Sequence, residues 1–109
     1  YKIKYGSFLL KYNRKEDAIK VFNQAKKLNP TIKEIYLNLA YISILNRDFI
    51  TAENSLKQAI ALDPDYVLAY ENLVLSARLQ NKDKEVKFYL NKILEIAPVH
   101  KAKQILENL

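Results

Sequence analysis

The chain holds only three prolines, Pro30, Pro64 and Pro98, and successive prolines stand 34 residues apart. Proline breaks or kinks a helix when it falls inside one. Three prolines in even register therefore mark the joints of a recurring helical unit. A fixed period of about 20–50 residues constrains the fold more than any local motif.

Superimposing the prolines aligns the residues before them. Leu28-Asn29-Pro30, Leu62-Asp63-Pro64 and Ile96-Ala97-Pro98 correspond. Further back stand Ala25, Ala59 and Ile93, then Phe22, Leu56 and Leu90, then Ala18, Ala52 and Val86. A second stripe holds Gly6, Ala40 and Val74, each one residue after Tyr5, Leu39 and Leu73, and in the later units Tyr36 and Tyr70 match. Apolar or small residues at i, i+3, i+4 and i+7 predict amphipathic helices. A break near Asn13, Arg47 and Asn81 separates two helices per unit, A and B. Helices are predicted over 2–12, 15–28, 32–45, 49–62, 66–79 and 83–96, with a seventh from near Val99 to the end.

Helix starts are signalled as well. Thr31-Ile32-Lys33-Glu34 reads as a capping box with Thr31 as N-cap. Asp48 and Asp65 are expected to cap the helices that follow them. Asn13 and Asn81 suit a left-handed turn residue, whereas Arg47 at the matching place suits it less.

The pattern resembles the tetratricopeptide repeat. Tyr36-Leu37-Asn38-Leu39-Ala40, then Asp48-Phe49, Ala52, Ala59 and Leu62-Asp63-Pro64, lie close to that family's signature. The first unit matches through Gly6, Ala18, Phe22, Ala25 and Pro30. The third is looser, with Val74, Val86 and Ile93 where small residues are usual, which predicts a wider separation of its two helices. Pentatricopeptide repeats run close to this period, but the apolar-x-Pro ending and the small positions favour the tetratricopeptide pattern. The resemblance implies an all-α fold, a right-handed superhelical stack of antiparallel helix pairs. Small residues would let A and B backbones approach, and Tyr36, Tyr70, Phe22 and Leu56 would fill the space between units. One domain is expected over 1–109: repeats at 1–32, 33–66 and 67–100, and a capping helix over 101–109. Gln104 and Glu107 stand where a large aromatic and a leucine recur, which is why a cap is expected rather than a fourth unit.

Composition narrows the chemistry. Half the residues are hydrophobic, only one is glycine, and cysteine is absent. No apolar run approaches the roughly 18 residues of a membrane span. Without cysteine there is neither a disulfide framework nor a thiolate metal site. His100 is the only histidine and reads as a solvated turn residue. Gly6 stands alone and cannot form a phosphate loop, and Asp63 and Asp65 flank a proline as helix-end residues. No enzyme activity, metal or cofactor is expected. Methionine is absent and Tyr1 falls at the third repeat position, so a segment of a longer protein is expected, with removal of the start by processing as the alternative.

The net charge of +6 sits at one end. Residues 1–32 carry eight basic and two acidic side chains, and the remainder carries ten of each. Lys20, Lys26 and Lys27 fall on helix B, and Tyr5, Phe8 and Tyr12 alternate with Lys4 and Lys11. Basic residues interleaved with aromatics raise nucleic-acid or anionic-surface binding as an alternative function. These aromatics share the spacing of a packed face, so nucleic acid is not the expected partner.

In the family that the chain resembles, A helices line a concave groove. Carried onto this sequence, the groove positions are Ile3, Ser7 and Leu10; Glu34, Leu37, Tyr41 and Ile44; and Leu68, Glu71, Leu75 and Arg78, with Asn38 and Asn72 beside them. The resemblance implies a protein-protein interaction or scaffold module that binds a peptide or helix there. The expected contact set is Leu37, Asn38, Tyr41, Ile44, Leu68, Glu71, Asn72, Leu75 and Arg78. A carboxylate clamp of lysine, asparagine and arginine would need Ile3, Ser7, Asn38, Leu68 and Asn72, of which only Asn38 fits. A structural tether within a larger protein is a further alternative, and self-association through an apolar edge stays open.

Overall fold

A computed structural model describes residue 6, residues 14–98 and residues 101–109. Their helices run in the order α1 (Lys15–Leu28), α2 (Lys33–Leu45), α3 (Phe49–Leu62), α4 (Val67–Leu79), α5 (Asp83–Ile96) and α6 (Ala102–Glu107). The helices form an all-α superhelical stack of antiparallel pairs. α2 pairs with α3 and α4 with α5, while α3 and α2 both touch α4 across the joint. α1, α3 and α5 have the bounds that periodicity predicts. The predicted helix over 2–12 falls almost wholly outside the described residues, apart from the helical, buried Gly6. The last helix is shorter than expected, and Val99 and His100 lie outside the described residues.

The core follows the two stripes. Ala18, Phe22 and Ala25 of α1 pack against Ile35 and Ile42 of α2. Tyr36, Ala40 and Ile44 meet Ala52, Leu56 and Ala59, and Tyr66, Ala69 and Leu73 close the same cluster from the next unit. Val74 and Ala77 join Val86, Leu90, Ile93 and Ala102 in a third. No cluster lies within a single helix, which is the physical meaning of a stacked array. Buried polar groups are few and satisfied. The Tyr36 hydroxyl donates to the Pro30 carbonyl at 2.7 Å, so each element of that joint is tied through the proline turn. Ser76 accepts from the Gln80 amide at 3.1 Å.

Two helix starts depart from expectation. Ile32, not Thr31, is the N-cap of α2, and it makes no side-chain cap. Thr31 instead donates its backbone N–H to Asn29 Oδ1 at 3.1 Å, forming an Asx turn around Pro30. Asp65 does not cap α4 either: Tyr66 holds that position, and the Asp65 N–H donates to Asp63 Oδ1 at 3.1 Å. In both joints the residue just before the proline captures the chain first, so the later capping residue is displaced. Asp48 behaves as expected, accepting from the Thr51 N–H at 3.3 Å.

The turns between paired helices share one geometry. Arg47 N–H donates to the Ile44 carbonyl and Asp48 N–H to that of Ser43, at 2.9 and 2.8 Å. Asn81 and Lys82 repeat the arrangement with Arg78 and Ala77, at 3.1 and 2.9 Å. Such paired bonds terminate a helix when the residue after its cap is left-handed. Arg47 and Asn81 have φ of 60° and 58°. Asparagine tolerates this; arginine pays about 1–2 kcal/mol in steric strain. Arg47→Gly is expected to raise stability by roughly 0.5–1 kcal/mol, because glycine's own entropic cost of about 0.5–1 kcal/mol offsets part of the relief. Urea unfolding measures it, and a loss of stability would mean that the guanidinium stacked 5.4 Å from the Phe49 ring outweighs the strain.

At the next joint Lys33 forms an ion pair with Asp63 and lies 4.5 Å from the centre of the Tyr66 ring. The hydrogen bond from Lys33 holds Asp63 below the usual carboxylate range, and Asp63 in turn raises Lys33. Burial, then the charges of Glu34 and Asp63, push the Tyr66 phenol up to about 12.

Candidate functional site

Two neighbouring helices, α2 and α4, carry five of the large apolar side chains left exposed among the described residues; Leu28, Ile50, Leu62, Phe88 and Leu109 are exposed elsewhere. Tyr41 is 41% exposed, Leu68 52% and Leu75 36%. Leu45 and Leu79 are likewise exposed. Tyr41 and Leu75 are one repeat apart, and so are Leu45 and Leu79, so each pair occupies one register on adjacent helices. Residues four apart share a helix face, and together these four draw an apolar strip across both helices. Leu45 and Leu79 were absent from the expected set. Their four-residue spacing after Tyr41 and Leu75 was the available signal.

The other expected groove residues divide. Arg78 is exposed, and Asn38, Glu71 and Asn72 are half-buried beside the strip. Leu37 is half-buried and leans on the core formed by α2, α3 and α4. Ile44 does not belong to the surface: it is 2% exposed and packs in that core. Its repeat equivalent is Arg78, so the two residues share a position but not a fate. The position borders core and solvent, where an isoleucine turns inward and an arginine turns out. Ile3, Ser7 and Leu10 lie outside the described residues.

Beyond the strip, α4, α5 and α6 surround a cavity of about 490 Å³. Val74, Leu90 and Ile93 form its floor, Leu75 and Leu79 one wall, and Ile105 the opposite wall. Glu71, Arg78 and Lys101 reach its lining as charged groups. A second hollow of about 320 Å³ lies among α1, α2 and α3, with Ile19, Leu39 and Ile42 beside Asn23, Ser43, Asp48, Thr51 and Ser55 in its walls.

Two of the basic side chains of α1 have a local explanation. Glu16 and Asp17 occupy its first turn and Lys26 and Lys27 its last. That order complements the helix dipole at both ends. Among the described residues no group of three or more His, Asp or Glu is placed to hold a metal, and no helix is long and apolar enough to cross a membrane.

A family model described as tetratricopeptide repeat matches residues 1–32 and again residues 33–66. The chain belongs to the tetratricopeptide repeat family. No curated protein matches this tetratricopeptide chain. Several solved structures share its fold. The first tetratricopeptide domain of Spaghetti (RPAP3), bound to the HSP90 peptide SRMEEVD, has a TM-score of 0.86 at 22% identity over 98% of this chain and 88% of that one. The Arabidopsis OM64 tetratricopeptide domain gives 0.85 at 22% identity, over 98% and 88%. YrrB, a tetratricopeptide protein with an unusual peptide-binding site, gives 0.86 at 18% identity, over 99% of this chain and 56% of that one.

Proposed function

We propose that this tetratricopeptide segment is a non-catalytic interaction module that holds a peptide or helix of another protein against the face formed by α2 and α4. The observation that carries the reading is the strip of Tyr41, Leu45, Leu75 and Leu79, large apolar groups left exposed in matching register on adjacent helices. Contiguous apolar surface of this kind marks contact sites. Two fold neighbours, Spaghetti and YrrB, are described with a bound peptide or a peptide-binding site, which favours the same class of ligand here. The carboxylate clamp is not part of the proposal, since Leu68 occupies a place that needs a cation and stands exposed there.

A random 12-residue peptide library displayed on phage supplies probes, and fluorescence anisotropy measures the binders selected. Replacing Tyr41 and Leu75 together by serine is expected to weaken those binders by about tenfold or more, the loss of two apolar anchors. Helicity should stay unchanged because both side chains are exposed. Undiminished affinity in the double variant places binding on another surface.

A further inference from the structure

The cavity among α4, α5 and α6 exists because the last joint is incomplete. At the preceding joint α2 and α4 approach each other directly, whereas α6 approaches α5 and not α4. The side chains explain the difference. Tyr36 is buried in the core at its joint, and Tyr70 packs against the clusters on both sides of its own. The third residue in that register is Gln104, which is exposed. Without a third tyrosine, α4 and α6 stay apart, and Leu75, Leu79 and Ile105 wall an apolar hollow that the strip of α2 and α4 runs into.

The charges at this hollow are unbalanced. Arg78 and Lys101 line it, both are exposed, and neither has an ion-pair partner among the described residues. Glu71, the one acid among the described residues of the lining, takes part in an interaction of its own. A volume of about 490 Å³ falls within the roughly 300–1,000 Å³ of pockets that enclose ligands. An apolar base beneath two cations that form no ion pair among the described residues is complementary to an apolar group with a carboxylate beside it.

Resting on the reading of the strip as a peptide site, we infer that this hollow is an anchor pocket for one bulky apolar side chain of the bound partner, with an aspartate or glutamate next to that side chain pairing with Arg78 and Lys101. Tyr41, Leu45 and Leu75 then bear the length of the peptide, and the hollow sets its register and its charge preference.

The same phage-displayed 12-residue library tests this. Peptides selected on the unaltered protein should carry Asp or Glu within two positions of Leu, Phe or Trp more often than the naive library does. Arg78→Glu with Lys101→Glu should weaken these peptides by about tenfold and should shift a fresh selection toward lysine and arginine. Ile105→Trp, which fills the hollow without changing charge, should weaken the same peptides with helicity retained. Selected peptides with no acidic enrichment overturn the inference. So does affinity that survives both the charge reversal and Ile105→Trp. If the Tyr41 and Leu75 double variant still abolishes binding in that case, the strip stands and only the anchor pocket falls. If neither set of variants matters, the proposed face falls with it.

Discussion

Phe22→Ala should lower stability by about 3–5 kcal/mol, the range for removing a large side chain from a close-packed core. Phe22 is 0% exposed and packs with Ala18, Ala25, Ile35 and Ile42. The same ring explains Gly6. A Cβ placed on Gly6 would lie 2.5 Å from Phe22 Cζ and 2.6 Å from Cε1. No real contact is that short, and a fully buried ring has nowhere to swing. Gly6→Ala should therefore destabilise by about 1–3 kcal/mol as overpacking, less the roughly 0.5–1 kcal/mol that alanine gains over glycine in a helix. The two sites are coupled, so the sign should reverse in the truncated background. With alanine at 22, Gly6→Ala meets no ring, and it should be neutral or stabilising. A double-mutant cycle in urea reads the coupling directly. Equal losses from Gly6→Ala in both backgrounds would show that the ring is not what demands glycine.

Leu56→Ala carries the second large effect. Leu56 is 0% exposed in the cluster that α2, α3 and α4 share. Truncation should cost about 2–5 kcal/mol. Its location makes the consequence more than a loss of midpoint. In a stacked array each unit is stable largely through its neighbours. Weakening the central cluster should separate the α1 end from the α4–α6 end, and unfolding should spread into two overlapping steps. Urea transitions followed by circular dichroism and by tyrosine fluorescence should stop coinciding. A single, coincident transition shifted by less than about 1 kcal/mol would show that the joint is held elsewhere.

Much of the fold was readable because its rules are local and periodic. The prolines set the period, and apolar stripes set the helix faces. α1, α3 and α5 therefore begin and end where the pattern places them. The helix caps at Thr31 and Asp65 were not readable in the same way. Each is engaged by the residue before the proline, Asn29 or Asp63, whose side chain accepts the candidate's own backbone N–H. Sequence spacing names both candidates and does not rank them. Arg47 shows a converse case: the residue is poorly suited to a left-handed turn, yet it adopts one because the hydrogen bonds from Arg47 and Asp48 close the end of α2.

The candidate site was legible in outline. Tyr41, Leu68 and Leu75 lie exposed as the resemblance implies. Ile44 does not, because a border position resolves inward or outward only once its neighbours are packed. The hollow beside Arg78 and Lys101 was not foreseen as a cavity. Its cause, Gln104 in the register of Tyr36 and Tyr70, was visible as a broken pattern, but a missing side chain reveals a void only when the helices around it are placed.

The contact of Lys33 with Asp63 and Tyr66 has a mechanical side. It fastens the start of α2 to the end of α3 and the start of α4. One repeat later the corresponding places hold Val67 and Ala97, which cannot form such a clasp. The stack is thus braced across its middle unit by a charged clasp that Val67 and Ala97 cannot reproduce one repeat later. Because the brace is partly exposed, salt screens it. Rising ionic strength should therefore loosen this clasp, so the ionic medium adjusts how firmly the middle unit is held.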